Sequence, residues 1–315
     1  MSYQGWVGKK QTVELEENLT YKAVRIEDTA EWRLLIWISS RGMSVYLQRE
    51  WESEEEPGDE ATVHDKGENL VKLFSEQWAE EPEHLQDRIE TAVYDHPQLL
   101  EDFSTELIIS TNRFMWVPLS AIEEEGEDEL FNMVYSAADD DIFIDQFEDK
   151  ACLYTLVPGL QGFLRRTLPG ARTRCQLSVE VSGLNVDETG CGIYCDIRDG
   201  EADYVVFKDG AFFLGVTHSW RYPSEIAYHV LNIIESYDLG DDVKVGIYDP
   251  NEIGEEGKKL IEEAGIECRP IGECRPGPDK LPLAMALLTG VSHRVKQLLE
   301  FIVRTVVEET QCAAA

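Results

Sequence analysis

The order of strand-like and helix-like runs occurs twice along this chain, and that repetition restricts the fold more than any single motif. In the first half, RLLIWISS (33–40) and GMSVYLQRE (42–50) are β-rich runs on either side of Arg41-Gly42, which predicts a hairpin. ENLVKLFSEQWAEE follows, where Leu70, Leu73, Phe74 and Trp78 share one face at helical spacing. A second helix is predicted from Leu85, Ile89, Ala92 and Val93. Two more strands are expected within 105–122, about Asn112-Arg113, then an acidic helix in EEEGEDELFNMVYSAA. Strands in DIFIDQF and ACLYTLVP and a short helix in GLQGFLRRTLPG complete this half. The second half opens with four strand-like runs in hairpin order: QLSVEVSGL, GIYCDIRD, ADYVVFKDG and AFFLGVTHS. A helix (SEIAYHVLNIIESYDL, with Ser224 as expected N-cap), a strand (VKVGIYD), a helix (NEIGEEGKKLIEEAG) and a strand (IECRPI) follow. Each half thus reads as hairpin strands, helix, strand and helix, which predicts two similar lobes, each a mixed β-sheet flanked by helices.

A length of 315 residues suits two lobes better than one core. The expected organisation is a polar lead-in at 1–32 and a first lobe at 33–174 with a solvated acidic loop at 52–67. A second lobe at 175–275 and a Pro-rich linker with a C-terminal amphipathic helix at 276–315 follow. In that last helix Val295, Leu298, Leu299, Ile302, Val303 and Val306 form one stripe. The stripe suits docking on the chain's own body, and alternatively a homodimer or a partner helix.

Sixty-two Asp and Glu against 28 Lys and Arg give a formal net charge of -34. Such a chain repels phosphate backbones and anionic lipid, so neither nucleic acid nor a membrane surface is expected as a partner. The acids are spread over nearly every segment, which favours adaptation to a salty cytoplasm over a negative face for a basic partner. Seven cysteines form no CxxC pair. Cys191 with Cys195, and Cys268 with Cys274, are poorly spaced for zinc, so free thiols are expected and no metal. The start of the chain has no apolar core and no stretch approaches a membrane span, which leads to the expectation of a cytoplasmic protein.

The segment CDIRDGEADYVVFKDGAF (195–212) carries the most chemical information. A hairpin that cradles phosphate needs a carboxylate at a strand end for Mg²⁺ through water, and glycines that let backbone N–H groups approach an oxyanion. The segment resembles, in register, the second phosphate loop of the actin-like ATPases (the actin, heat-shock-70 and sugar-kinase superfamily), of the form D-I-G-G-G-T-T-D-I-x-V. Asp196, Ile197, Gly200, Asp203 and Val206 fall where that pattern has Asp, Ile, Gly, Asp and Val, and Lys208-Asp209-Gly210 falls on the next hairpin turn. Arg198 and Asp199 stand where two glycines belong, and Glu201 and Ala202 replace the paired Thr. The remaining loops are also altered. IWISSRGMSV has only Ser39, Ser40 and Gly42 where a first phosphate loop would sit, and VKVGIYDPN has Gly246 followed by Ile247 and Tyr248.

A second resemblance rests on TNRFMWVPLSAI, LYTLVPGLQGFLRRTLPG and ADYVVFKDGAFFLGVTHSWRYPSEIAYHVLNIIE. These are similar to the bacterial family called domain of unknown function 3822, with a VVFKDGxL hairpin, a polar-aromatic turn and a Tyr-rich helix over roughly residues 30–275. The two resemblances imply an α/β, two-lobed actin-like (ribonuclease H-like) fold. If nucleotide is bound, they assign it to Asp196, Gly200, Asp203 and Gly246, with Asp196 for Mg²⁺ and Asp203 to position water.

His218, Ser219, Trp220 and Arg221 concentrate polar and aromatic chemistry at a strand–helix junction and are the expected cleft or partner contact. Asp139, Asp140 and Asp141, with Asp145 and Asp149, lack the spacing of a calcium loop and read as a solvated turn. Arg165, Arg166, Arg172 and Arg174 form a basic cluster expected to pair with neighbouring acids. No Walker loop, nucleophile elbow or zinc-protease motif is recognisable. Three readings follow. The eroded loops favour a non-catalytic pseudo-ATPase, without cofactor, acting as scaffold or adaptor for another protein. The alternatives are a Mg-ATP-dependent kinase or ATPase with divergent loops, and a small-ligand binding module in the old nucleotide cleft.

Overall fold

The computed structural model of the chain describes residues 29–49, 70–78, 84–136, 141–156, 159–184, 191–240, 243–271 and 281–289. The acidic loop 52–67, the C-terminal amphipathic helix and nearly all of the polar lead-in lie outside the described residues. In chain order the first elements are β1 (Trp32–Ser39), β2 (Gly42–Arg49), β3 (Leu70–Gln77), α1 (Leu85–Asp95) and β4 (Ser104–Ile109). Then come β5 (Phe114–Pro118), α2 (Leu119–Glu125), α3 (Glu127–Asn132), β6 (Ile142–Phe147), β7 (Lys150–Thr155), α4 (Leu160–Thr167) and β8 (Arg172–Cys175). The last part holds α5 (Gln176–Gly183), β9 (Gly192–Arg198), β10 (Glu201–Lys208), β11 (Ala211–Ser219) and α6 (Pro223–Tyr237). It ends with β12 (Lys244–Tyr248), α7 (Glu255–Glu263), β13 (Cys268–Pro270) and α8 (Leu283–Thr289).

The chain forms two compact units: Met1–Leu107 with Val157–Thr173, and Ile108–Leu156 with Arg174–Ala315. Residues 108–156 group with the second unit although they precede most of it in the chain. The repetition seen in the sequence reappears as sheet topology. One five-stranded sheet runs β3-β2-β1-β4-β8 and the other β11-β10-β9-β12-β13, the same order of first, second, third, fourth and fifth strand in each. In the second sheet, β9, β10 and β11 are antiparallel neighbours, while β12 runs parallel to both β9 and β13. A three-stranded antiparallel sheet, β5-β7-β6, is the extra piece of the second unit. Its Trp116 ring lies 4.5 Å from that of Phe212 on β11.

The core of the second five-stranded sheet follows from strand alternation. Ile193, Cys195 and Ile197 of β9 and Ala202, Tyr204 and Val206 of β10 point to one face, where Ile226, Val230 and Ile233 of α6 and Ile261 of α7 meet them. Two close contacts hold those helices. A Cβ on Gly257 would run into the Pro223 backbone carbonyl, so that position requires the smallest residue, and one on Gly254 would lie 2.6 Å from Ile197 Cδ1, which would have to turn aside.

Several local expectations are corrected. The apolar run at 70–78 forms strand β3 rather than a helix. A bulge puts Leu73 out of step, so that Phe74 pairs with Val45 while Lys72 pairs with Tyr46. Val71 and Phe74 therefore share a face at a three-residue step, which imitates helical spacing. QLSVEVSGL forms helix α5 rather than a strand. Its β-branched residues read as strand, but residues 176–181 are all buried, and tertiary packing overrides that weak preference. Residues 119–122 start helix α2, and Gly126 (φ +86) splits the expected acidic helix into α2 and α3. The two strands about Asn112-Arg113 exist but join different sheets. The N-cap of α6 is Tyr222, with Pro223 at the first helical position, so Ser224 lies inside the first turn and caps nothing.

Candidate functional site: a buried carboxylate–guanidinium cluster

The face of the second sheet opposite the α6 core carries charge. Asp196 on β9 lies directly across from Asp203 on β10, which in turn lies across from Thr217 on β11. One step toward the turn, Arg198 lies across from Glu201. The period of two puts these side chains on the same face, and the turn Asp199-Gly200 joins the strands, Gly200 at φ +76 where glycine is favoured. Helix α5 covers this face and adds Gln176 and Glu180, which are four residues apart and so neighbours on the helix surface.

The hydrogen bonds close around one cation. Arg198 donates from Nη1 to Asp203 Oδ2 at 2.6 Å and to Asp196 Oδ2 at 2.9 Å, and from Nη2 to Asp203 Oδ1 at 3.1 Å. Gln176 Nε2 donates to Asp203 Oδ2 (2.8 Å), Glu180 Oε1 (2.9 Å) and Asp196 Oδ2 (3.3 Å). Thr217 Oγ1 donates to Asp203 Oδ1 at 2.6 Å. Both oxygens of Asp203 are thus fully engaged. Oδ1 of Asp196 has no hydrogen-bond partner, although Asp196 is only 1% exposed. Oxygens of Glu180, Asp196 and Asp203 lie within 4.8 Å of one another, a spacing that gathers round one cation, and the cation present is the Arg198 guanidinium.

Electrostatics follow from burial. Desolvation pulls the Arg198 pKa down, but the Asp203 and Asp196 carboxylates outweigh it and hold the guanidinium above its ordinary value. Asp196 is pushed up to about 6 by burial, with Arg198 opposing and Asp203 adding. Burial also drives Glu180 well above the usual carboxylate range, reinforced by Asp203 and Asp196 and opposed by Arg198.

The expected contact residues are partly brought together here. Trp220 donates its indole N–H to the Arg198 carbonyl at 3.1 Å and its backbone N–H to the Gly200 carbonyl at 2.9 Å, so it straps the β9–β10 turn. Ser219 lies across from Glu201 and is exposed. His218 points to the α6 side, its ring stacked on His229 at 4.1 Å and 8°. Arg221 is exposed, its backbone N–H donating to Glu225 Oε2 at 2.7 Å. Gly246 sits on β12, where a Cβ would crowd Tyr194 and Ile271 at 3.0 Å, so ring packing accounts for the glycine. Ile247 and Tyr248 are buried, and the Tyr248 hydroxyl donates to the Leu281 carbonyl at 2.6 Å.

Gln176 and Glu180 are not among the site residues expected from the sequence, and Asp145, expected in a solvated turn, instead lies on strand β6. A Gln-x-x-x-Glu pair is the one local signal for the first two, and it is visible only once 176–183 is read as helix. Asp145 on β6 accepts the Cys175 N–H at 2.7 Å and the Ser178 hydroxyl, anchoring the start of α5. Asp149 is exposed beside Lys150, and residues 139 and 140 lie outside the described residues. Cys191, Cys195 and Cys268 are free thiols, and Cys274 lies outside the described residues. No helix among the described residues is long and apolar enough to cross a membrane.

The duplicated strand order and this hairpin define a class, the two-lobed actin-like (ribonuclease H-like) fold of α/β proteins. Its support among solved structures is a Bacteroides thetaiotaomicron VPI-5482 protein with actin-like ATPase fold and unknown function. That protein matches with a TM-score of 0.64 at 16% identity, over 83% of this chain and 96% of that one. Residues 60–257 match the family described as Protein of unknown function (DUF3822), and the chain belongs to that family. Weaker likenesses include a PilM-PilN type IV pilus biogenesis complex (TM-score 0.48, 10% identity, 78% of this chain and 89% of that one). Another is the ethanolamine utilization protein EutJ from Carboxydothermus hydrogenoformans (TM-score 0.42, 10% identity, 81% and 89%). Comparison with curated proteins gives no match.

Proposed function

We propose that this chain is a non-catalytic pseudo-ATPase of the actin-like fold, acting as scaffold or adaptor for another protein. The observation that carries the reading is Arg198. It stands where a phosphate loop would have glycine, and its guanidinium is held between Asp196 and Asp203 at 2.9 and 2.6 Å. A Mg²⁺–polyphosphate needs carboxylate oxygens with room for water and backbone N–H groups open to an oxyanion. Here the Asp203 oxygens are saturated by Arg198, Gln176 and Thr217, and Trp220 closes the turn from outside. The corresponding hairpin of the first unit closes on itself, with Ser39 Oγ accepting the Arg41 N–H at 3.2 Å and donating to the Gly42 carbonyl at 3.3 Å. For the partner, support comes from Tyr222 at the start of α6 and Tyr228 on it, which are 67% and 62% exposed, the kind of rigid aromatic surface that interfaces favour.

The test is a thermal-shift titration with ATP, with and without Mg²⁺. Binding to the folded state would stabilise it by ~2.7 kcal/mol at a hundred times the dissociation constant. No shift is expected at millimolar ATP. A Mg²⁺-dependent shift that Asp196→Ala abolishes would overturn the reading and make this a divergent ATPase.

A further inference from the structure

The cluster contains more negative charge than its cation can balance. Glu180, Asp196 and Asp203 are each no more than 2% exposed, and Arg198 pairs with Asp196 and Asp203. Three dry carboxylates against one cation would leave two uncompensated charges in a low-dielectric site, which proteins avoid by taking up a proton. Among the described residues, the surrounding elements bring no second cation to these carboxylates. Helix α5 contributes Gln176 and Glu180 here and is anchored by Asp145 at its start, and the α8 packed against it (LAMALLT) is uncharged. Strand β9 adds the Cys195 thiol, β10 adds Glu201 with Asp203, β11 adds the Thr217 hydroxyl, and Asp249 follows β12.

Hydrogen-bond accounting places the proton. Gln176 Nε2 has two hydrogens and already faces three carboxylates. Three of the five Arg198 N–H donors and the Thr217 hydroxyl go to Asp203 and to Oδ2 of Asp196, and none reaches Oδ1 of Asp196. Oδ1 of Asp196 is the cluster oxygen left buried without a donor, and Glu180 lies within hydrogen-bond reach of Asp196. We propose that Glu180 is a neutral carboxylic acid whose O–H donates to Oδ1 of Asp196, so that the second unit folds around one trapped proton. The direction of both carboxyl shifts, upward and led by burial, agrees with that assignment. The inference does not rest on the pseudo-ATPase reading, because it concerns the protein without nucleotide.

The linkage has a definite sign. An acid raised above its unfolded value contributes stability that is complete below the unfolded value and lost as pH rises through the folded one. For Asp196 the loss runs from about 4 in the unfolded chain to about 6 in the folded one. The stability carried by Glu180 is lost over the same rise and beyond it. Infrared spectra of the intact protein at pH ~7.5 should show a protonated-carboxyl band that is missing from Glu180→Gln. The Gln amide can donate to the same oxygen, so this variant should fold and lose the Glu180 share of the fall in thermal midpoint with rising pH. A wild-type spectrum without the band, or a band unchanged in the variant, would overturn the proposal. So would MgCl₂ or MnCl₂ added alone, if it removed the band and raised the midpoint, since the site would then take a metal ion instead of a proton.

Discussion

The first hairpins of the two units, β1–β2 and β9–β10, hold the same place in the same strand order, yet they solve the polar face of the sheet differently. In the first unit the turn is closed by Ser39, and Ser44 meets Ser75 across β2 and β3 at 2.8 Å. Among the described residues its buried charge is limited to Glu106, paired with Arg33 at 3.2 Å, and Arg33 also reaches Gln48 at 2.6 Å. The second unit buries three carboxylates, two on the equivalent hairpin and one on α5, beside the part-buried Arg198 guanidinium. Topology therefore decides which positions meet. The residues at those positions decide whether the meeting is neutral and locally satisfied or charged and mutually dependent.

That contrast breaks most visibly at the cations. Arg198→Ala should cost about 3–5 kcal/mol in urea unfolding, because it leaves buried carboxylates without a counter-charge. Arg33→Ala should cost only about 1–2 kcal/mol, since its side chain is more exposed and leaves one carboxylate behind. Equal losses would show that the two hairpins are not energetically different. The hydroxyls sharpen the same comparison. Thr217→Val removes one of the two donors to Oδ1 of the buried Asp203 carboxylate and should cost about 1.5–3 kcal/mol, against about 0.5–1.5 for Ser44→Ala, whose partner is a neutral hydroxyl.

The smallest effect lies on the other face of the charged hairpin, where His218 of β11 stacks on His229 of α6 beside Tyr204 and Tyr228. Burial lowers the His218 pKa. Burial and then His218 lower that of His229, with Glu225 opposing. A depressed histidine contributes stability present above its ordinary value near 6.5 and lost as pH falls, opposite in sign to the carboxyl cluster. Ring-proton NMR titration should place both midpoints below 6.5, and His218→Asn should raise that of His229. Midpoints at the ordinary value would remove this device from the comparison.

Much of this arrangement was legible in local sequence. The paired hairpins follow from strand-like runs on either side of Arg41-Gly42 and Asp199-Gly200, and the α6 and α7 helices from helical periodicity. The misreadings share a cause. A bulge at Leu73 turned a strand's alternation into a three-residue step, and burial made α5 helical against its β-branched composition. The second error hid half of the site, because Gln176 and Glu180 meet the sheet only on a helix.

Local periodicity and turn chemistry were enough to establish two lobes of one design and the hairpin that carries the carboxylates, since both depend on residues close in the chain. The saturation of Asp203, the unpaired oxygen of Asp196 and the Arg198 guanidinium held between two acids depend on long-range packing. They required β9, β10, β11 and α5 to be assembled, because the free energy of a buried charge is set by everything around it.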